Sequence, residues 1–127
     1  MVNLESYRWN NRIVLVFGTA ATDVAVMQQR AWLDQQARGI DARHVVVGYI
    51  FEHGPSVVGE EAMSPEDAAT LREQFDIRSG TFNFVLVGKD GGVKRSANEP
   101  VAADDLFALI DAMPIRQREM RQQGENR

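Results

Sequence analysis

A continuous apolar run, Ile13-Val14-Leu15-Val16-Phe17, closes on Gly18. Consecutive apolar residues rich in β-branched and aromatic side chains predict a strand buried on both faces. Beyond Thr19 the period changes. Ala20, Val24, Met27 and Ala31 fall near one helical face, while Val26, Leu33 and Ala37 line another. This predicts a helix that starts at a Thr22 or Asp23 cap and stops at Gly39. A second strand covers His44 to Phe51, and Glu52-His53-Gly54-Pro55-Ser56 breaks it. Ser64-Pro65-Glu66-Asp67 reads as a helix start, with serine as cap, proline at the first helical position and acids in the first turn. Ala68, Leu71 and Phe75 supply its buried stripe. Phe82 to Val87 predicts a third strand, and Asp90-Gly91 a hairpin turn into Val93-Lys94-Arg95. The clearest helix is capped by Asp104 or Asp105. It holds Leu106, Leu109, Ile110 and Met113 at i, i+3, i+4 and i+7, with Leu109 and Ile110 expected deep in the core. Pro114 ends that helix or opens a short successor carrying Arg116, Arg118 and Arg121.

The resulting order is β-α-β-α-β-β-α. Two buried strands separated by a helix must pair in parallel through a right-handed crossover, whereas the last two form an antiparallel hairpin. The prediction is an α/β, thioredoxin-like domain: a mixed central sheet of about four strands, flanked by helices on both faces. A flavodoxin-like sheet would need another βα unit where this chain has a hairpin. The 127 residues suit one domain with its own core. Residues 1–121 are expected to form it, with 122–127 a frayed tail.

Composition narrows the chemistry. The chain is 44% apolar and 25% charged, and its net charge of −4 argues against a dedicated nucleic-acid binder. No apolar run approaches the ~18 residues of a membrane span. Residues Met1 to Asn11 contain no apolar h-region, so no signal peptide is expected in the chain as it stands. A secreted or periplasmic location would require that an upstream signal had been removed. With 14 Lys and Arg in all, arginine far outnumbers lysine, which suggests GC-rich bacterial coding. The absence of cysteine excludes disulfides, thiol nucleophiles and Cys-based zinc sites. Two histidines leave little for a His-based metal site. No cofactor, metal or catalytic residue is assigned.

In a thioredoxin-like fold the working face lies at the start of the first helix, where the helix N-terminus favours a thiolate. Here Gly18-Thr19-Ala20-Ala21-Thr22-Asp23 stands at that place. Disulfide exchange and thiol-based peroxide reduction are therefore excluded. The fold's usual cis-proline before the third strand is replaced by Ser79-Gly80-Thr81-Phe82. A non-proline cis bond costs about 2.5–4 kcal/mol, so a trans bond and a reshaped groove are expected. Gly88-Lys89-Asp90 is a turn, since it lacks the Ser or Thr and the helix start of a phosphate loop.

Two sets of residues remain as candidates. Thr19, Thr22, Asp23, Glu52, His53 and Thr81 outline a ligand or partner groove. The threonines and Asp23 can present hydroxyls and a carboxylate to a ligand, or simply cap the helix. Glu52 and His53 can exchange protons or hold a metal, or be a solvated loop pair. His44, at the start of a strand, reads as a strand-end residue bonded to backbone. The second set is the basic tail, Arg116, Arg118 and Arg121. Seven acids and one arginine between Glu52 and Asp76 leave that segment at −6, whereas Ile115 to Arg127 carries +2. The asymmetry suits partner or head-to-tail contacts, or a solvated acidic face and a loose tail. Trp9, after Tyr7 and Arg8, reads as a core or lid aromatic packing the N-terminal arm.

Three strings carry more specific information: Leu4-Glu5-Ser6-Tyr7-Arg8-Trp9-Asn10-Asn11-Arg12, Val85-Leu86-Val87-Gly88-Lys89-Asp90-Gly91-Gly92-Val93-Lys94, and Ile110-Asp111-Ala112-Met113-Pro114-Ile115-Arg116-Gln117-Arg118-Glu119-Met120. Together they resemble the family called domain of unknown function 4174, over Leu4 to about Arg121. That family is similar to the repeated domains of an extracellular-matrix protein, coiled-coil domain-containing protein 80. The resemblance implies a thioredoxin-like fold without redox cysteines, bacterial members that look secreted or periplasmic, and no catalytic residues to transfer. The expected function is a redox-inactive, non-catalytic module for an unidentified peptide, protein or small ligand. The alternatives are a non-thiol enzyme using Glu52, His53 and the Thr19–Asp23 turn, or a structural protein self-associating through its edge strand or arginine tail. Convergence of the Glu52, His53 and Thr22 side chains would favour the enzyme.

Overall fold

The computed structural model describes residues 3–125. After a single 3-10 turn at Leu4–Tyr7, the chain enters β1 (Arg12–Gly18), α1 (Val24–Gln35), α2 (Ala37–Ala42) and β2 (Val45–Phe51). Two short strands, β3 (Ser56–Val58) and β4 (Glu61–Met63), precede α3 (Pro65–Gln74). The hairpin β5 (Asn83–Val87) and β6 (Val93–Ala97) leads into α4 (Ala103–Asp111) and α5 (Pro114–Glu125). The sheet order is β4-β3-β2-β1-β5-β6. β1 is central, parallel to β2 with Ile13 opposite Val46, and antiparallel to β5 with Leu15 opposite Val85.

Every residue of β1 is buried, as an uninterrupted apolar run between two helical layers requires. Its side chains alternate between two cores. Val14 and Val16 pack with Val26, Leu33, Phe84, Leu106 and Ile110 on the α1/α4 side. Ile13, Leu15 and Phe17 pack with Ile50, Val58, Leu71 and Val85 on the α3 side. The fold is thus the expected mixed α/β sheet with helices on both faces, and the start of α3 matches its sequence signature: Ser64 Oγ accepts from the Asp67 N–H at 3.1 Å.

The sheet has six strands, two more than the apolar runs predict. β3 and β4 are three residues each, too short to carry a periodicity, and they turn at Gly59 with φ +61°. Ser56 anchors them, its Oγ accepting from the Phe51 N–H at 2.9 Å.

The first predicted helix is two helices. Gln36, at φ −117° and ψ 31°, breaks the run, and Gly39 lies inside α2, not beyond a helix end. Glycine is needed there for close approach, because a Cβ would sit 2.6 Å from the Phe107 ring. α1 turns Val26, Gln29 and Leu33 inward and leaves Val24 and Met27 at 84% and 57% exposure. Buried Gln29 is satisfied by Val101, donating to its carbonyl at 2.8 Å and accepting from its N–H at 2.7 Å.

Further departures sit at element ends. α4 starts after Ala102 with no side-chain cap, and Asp104 and Asp105 occupy its first turn, where carboxylates suit the helix dipole. Leu106 and Ile110 are fully buried, but Leu109, at the edge of the stripe, is only half-buried and lines a cavity beside the β5–β6 turn. Pro114 opens a twelve-residue helix that runs to the last described residue, and positions 126–127 of the expected tail lie outside the described residues. Trp9 is not a core aromatic. It is largely exposed at φ 70°, its backbone N–H donates to the Lys89 carbonyl, and its ring lies 5.5 Å from the Arg8 guanidinium. β2 begins at Val45, and His44 precedes it at φ 55°. Among the described residues, no helix is long and apolar enough to cross a membrane.

Candidate functional site

Parallel pairing places Gly18 opposite Phe51, so the loops that follow β1 and β2 emerge side by side. Backbone bonds join them: the Glu52 N–H donates to the Gly18 carbonyl at 3.2 Å and the His53 N–H to the Thr19 carbonyl at 2.8 Å. Open α/β sheets bind ligands outside the carboxyl ends of their strands, and this is such an end.

The Thr19–Asp23 turn is closed on itself. Asp23 occupies the N-cap position of α1, yet it makes no side-chain cap bond. Its carboxylate instead turns back to accept from the Thr19 hydroxyl and from the Thr19 N–H, the latter at 2.7 Å. These bonds hold its pKa below the usual aspartate range. Thr22 is exposed. The expected capping role therefore falls to neither residue: the turn closed by the Asp23 N–H on the Ala20 carbonyl at 3.1 Å folds the Asp23 carboxylate back onto Thr19.

Glu52 is also committed. Its Oε1 accepts from the Gly80 N–H at 2.9 Å, and this bond, with Ser79, lowers its pKa. The turn it holds contains Gly80 at φ 80° and no cis peptide bond. Thr81 donates to the Arg78 carbonyl at 2.7 Å and accepts from Asn83 Nδ2 at 2.9 Å.

An open cleft of about 740 Å³ separates α3 from these loops. Glu52, His53, Arg72, Glu73, Asp76 and Ser79 line it, and Arg72 is braced by donating to the Phe51 carbonyl at 2.9 Å. Of the predicted groove residues, Glu52 and His53 reach this cleft, while Thr19, Thr22, Asp23 and Thr81 lie outside its lining. The Glu52 carboxylate faces Gly80 and makes no hydrogen bond to His53 among the described residues. Thr22 is outside the cleft lining, so the structure brings Glu52 and His53 to one cleft without Thr22. Among the described residues, no group of three candidate ligands could hold a metal.

A second polar centre was not expected from the sequence, which places Arg116 in a basic tail. Arg12, Lys89 and Arg116 are 1%, 8% and 5% exposed. All three converge on Glu119. Arg12 reaches both carboxylate oxygens at 3.3 Å, Lys89 Nζ lies at 2.7 Å, and Arg116 Nη1 at 3.5 Å. Asp111 pairs with Arg43 at 2.9 Å and with Arg116 at 3.2 Å. His44 is held by backbone, its N–H donating to the Asp41 carbonyl and its carbonyl accepting from the Arg12 N–H, while its imidazole Nδ1 lies 2.8 Å from Lys89 Nζ. Burial pushes the Glu119 carboxyl up, but hydrogen bonds from Lys89 and Arg12 and their charges outweigh it and bring its pKa to about 2.

Arg116 thus belongs to the interior, and of the supposed basic tail only Arg118 and Arg121 face solvent. One sequence signal could have found this centre. Arg12 adjoins a run buried on both faces, and a buried charge demands a partner.

Sheet topology, flanking helices and the turn that follows β1 without a cysteine define a thioredoxin-fold domain stripped of thiol chemistry. The chain belongs to the family described as Domain of unknown function (DUF4174), whose model matches residues 3–119. It is similar to Sushi repeat-containing protein SRPX2 of Xenopus laevis, at 25% identity over 98% of this chain. It is also similar to coiled-coil domain-containing protein 80 of Danio rerio (30% over 92%) and to Sushi repeat-containing protein SRPX of Homo sapiens (31% over 96%). The alignments span 28%, 15% and 27% of those three proteins. These relatives are vertebrate and lend no support to the bacterial source suggested by the arginine excess.

Among solved structures, reduced 2-Cys peroxiredoxin of Plasmodium vivax superposes with a TM-score of 0.67 at 16% identity, covering 94% of this chain and 85% of that one. Thioredoxin peroxidase I of Plasmodium yoelii gives 0.65 at 18%, covering 92% and 80%. At such identities the likeness establishes the fold alone.

Proposed function

We propose that this domain is a non-catalytic binding module that receives a peptide segment bearing a basic side chain in the cleft between α3 and the loops after β1 and β2. The observation that carries this reading is the charge of the cleft: Glu52, Glu73 and Asp76 face it, against the single guanidinium of Arg72. Charge-assisted bonds from a lysine or arginine to carboxylates are stronger than neutral ones, and complementarity of this kind selects partners. The cleft volume of about 740 Å³ accommodates a few residues of extended chain. Glu52, already oriented by the Gly80 N–H, is preorganised to accept on its remaining lone pairs.

The test is a titration of isotopically labelled protein with short peptides matched in length, one set carrying Lys or Arg and one carrying Glu. Basic peptides should shift amide signals at 52–53 and 72–79, and the paired substitutions Glu73→Lys and Asp76→Lys should abolish those shifts. Equal response to acidic peptides, or shifts confined to Arg118 and Arg121, would exclude this site.

A further inference from the structure

Across the molecule from the peptide cleft, the β5–β6 turn faces the corner between α4 and α5 over a cavity of about 430 Å³. This volume lies within the range of small-molecule sites. Its two walls differ in chemistry. Arg12, Lys89 and Lys94 supply one, and Leu109, Met113 and Ile115 supply the other. We propose that this cavity binds a small amphipathic carboxylate, its head on the Arg12–Lys89–Lys94 wall and its apolar chain along Leu109, Met113 and Ile115.

The charge balance behind the cationic wall argues for an anion. Among the described residues, Arg12, Arg43, Lys89 and Arg116 pair with Asp111 and Glu119 alone, and all six groups are at least partly buried. Glu119 is ionised at neutral pH, so its charge is already spent, and an excess of two positive charges remains where screening is weak. Arg12 adds an independent sign. Its Nε–H is buried and has no acceptor among the described residues, which is uncommon for a charged donor. The one carboxylate in the cavity wall, Asp90, is already engaged by Lys94 Nζ at 2.9 Å and by the Gly92 N–H at 2.9 Å.

The apolar wall explains a departure noted in the fold. Leu109 belongs to the hydrophobic stripe of α4, yet it is half-buried and lines this cavity instead of the sheet core. Covering it with an alkyl chain would remove apolar surface from water. The head and the tail of the ligand are therefore recognised by separate walls, and neither half alone should bind well.

Octanoate is the probe, with octan-1-ol supplying the tail without the charge and acetate the charge without the tail. Octanoate should shift the methyl signals of Leu109, Met113 and Ile115, with each half-probe at least about tenfold weaker. Lys89→Met tests the head directly but removes a partner of Glu119 and can unfold the protein. Lys94→Glu, on a partly exposed side chain, and Leu109→Gln keep the test decisive: each should weaken octanoate by about tenfold, while Arg95→Glu on the neighbouring exposed position should not. Octan-1-ol binding as tightly as octanoate, affinity indifferent to Lys94→Glu and Leu109→Gln, or no methyl shift at all would each overturn the proposal. Glu73→Lys with Asp76→Lys should leave octanoate binding intact, which separates this site from the peptide cleft.

Discussion

Lys89 Nζ lies 2.7 Å from Glu119 Oε2, joining the β5–β6 turn to the C-terminal helix. The turn residue before Asp90-Gly91 would ordinarily point into solvent. Here its aliphatic stem and ammonium are buried, and the backbone carbonyl of the same residue receives the Trp9 N–H. Lys89 therefore ties together three segments that are far apart in the chain: the N-terminal arm, the hairpin and α5. Burying such ions carries a desolvation penalty, so the pair need not be more stable than an apolar replacement would be. Breaking it from one side is a different matter, because the remaining charges are left without a partner.

Replacing that partner gives the first prediction. Glu119→Gln should destabilise the fold by about 3–5 kcal/mol at neutral pH, since Arg12, Lys89 and Arg116 would then face an uncharged amide in a buried site. The shift in urea midpoint at unchanged slope measures it.

The same carboxylate sets a pH dependence. Its pKa is lowered from 4.5 to about 2 on folding, so its stabilisation is complete above the unfolded value and disappears as pH falls from 4.5 towards 2. The loss should be on the order of 3 kcal/mol. Asp111 acts in the same direction, its pKa lowered chiefly by the hydrogen bond from Arg43 against partial burial, and it persists in the variant. Stability curves of the parent and Glu119→Gln proteins should therefore converge as pH drops through this window. Parallel curves would mean that Glu119 does not titrate there.

Core burial on α4 separates neighbours in the same stripe. Leu106 has no exposed surface, whereas Leu109 is half-buried. Leu106→Ala should cost about 2–5 kcal/mol through lost transfer energy and a cavity. Leu109→Ala should cost about 1 kcal/mol, in the range of partly exposed positions. Chemical denaturation of the two variants side by side checks the order.

At the β1–α1 turn, Asp23 stabilises Thr19 and not the helix end. Asp23→Ala should accelerate hydrogen exchange at the Thr19 amide and leave the first-turn amides of α1 unchanged. Faster exchange at Val26 and Met27 without an effect at Thr19 would show the carboxylate to be a cap after all.

Much of the architecture was legible because it rests on local chemistry. The apolar run Ile13–Phe17 demanded burial on both faces, Ser64-Pro65 marked a helix start, and Asp90-Gly91 marked the hairpin. The absence of cysteine alone removed thiol chemistry. Segments whose state depends on distant neighbours were not legible in this way. β3 and β4 exist because a paired β2 edge offers hydrogen bonds to short strands with little signal of their own. Gly39 is small because Phe107 packs onto it, which no local pattern of α2 can announce.

The candidate sites divide along the same line. The Glu52-His53 loop could be placed beside the Thr19–Asp23 turn from the sequence, because parallel pairing of β1 and β2 follows from the crossover. The cleft they share with Glu73 and Asp76 depends on where α3 packs. Arg12 and Glu119 are 107 residues apart, and only the folded chain brings their charges together. The sequence by itself determined which residues must leave water and which chemistry is absent, because both follow from side-chain type and local period. Tertiary structure decided which charges pair in the interior and which cavities stay open, because those depend on long-range packing that no local pattern encodes.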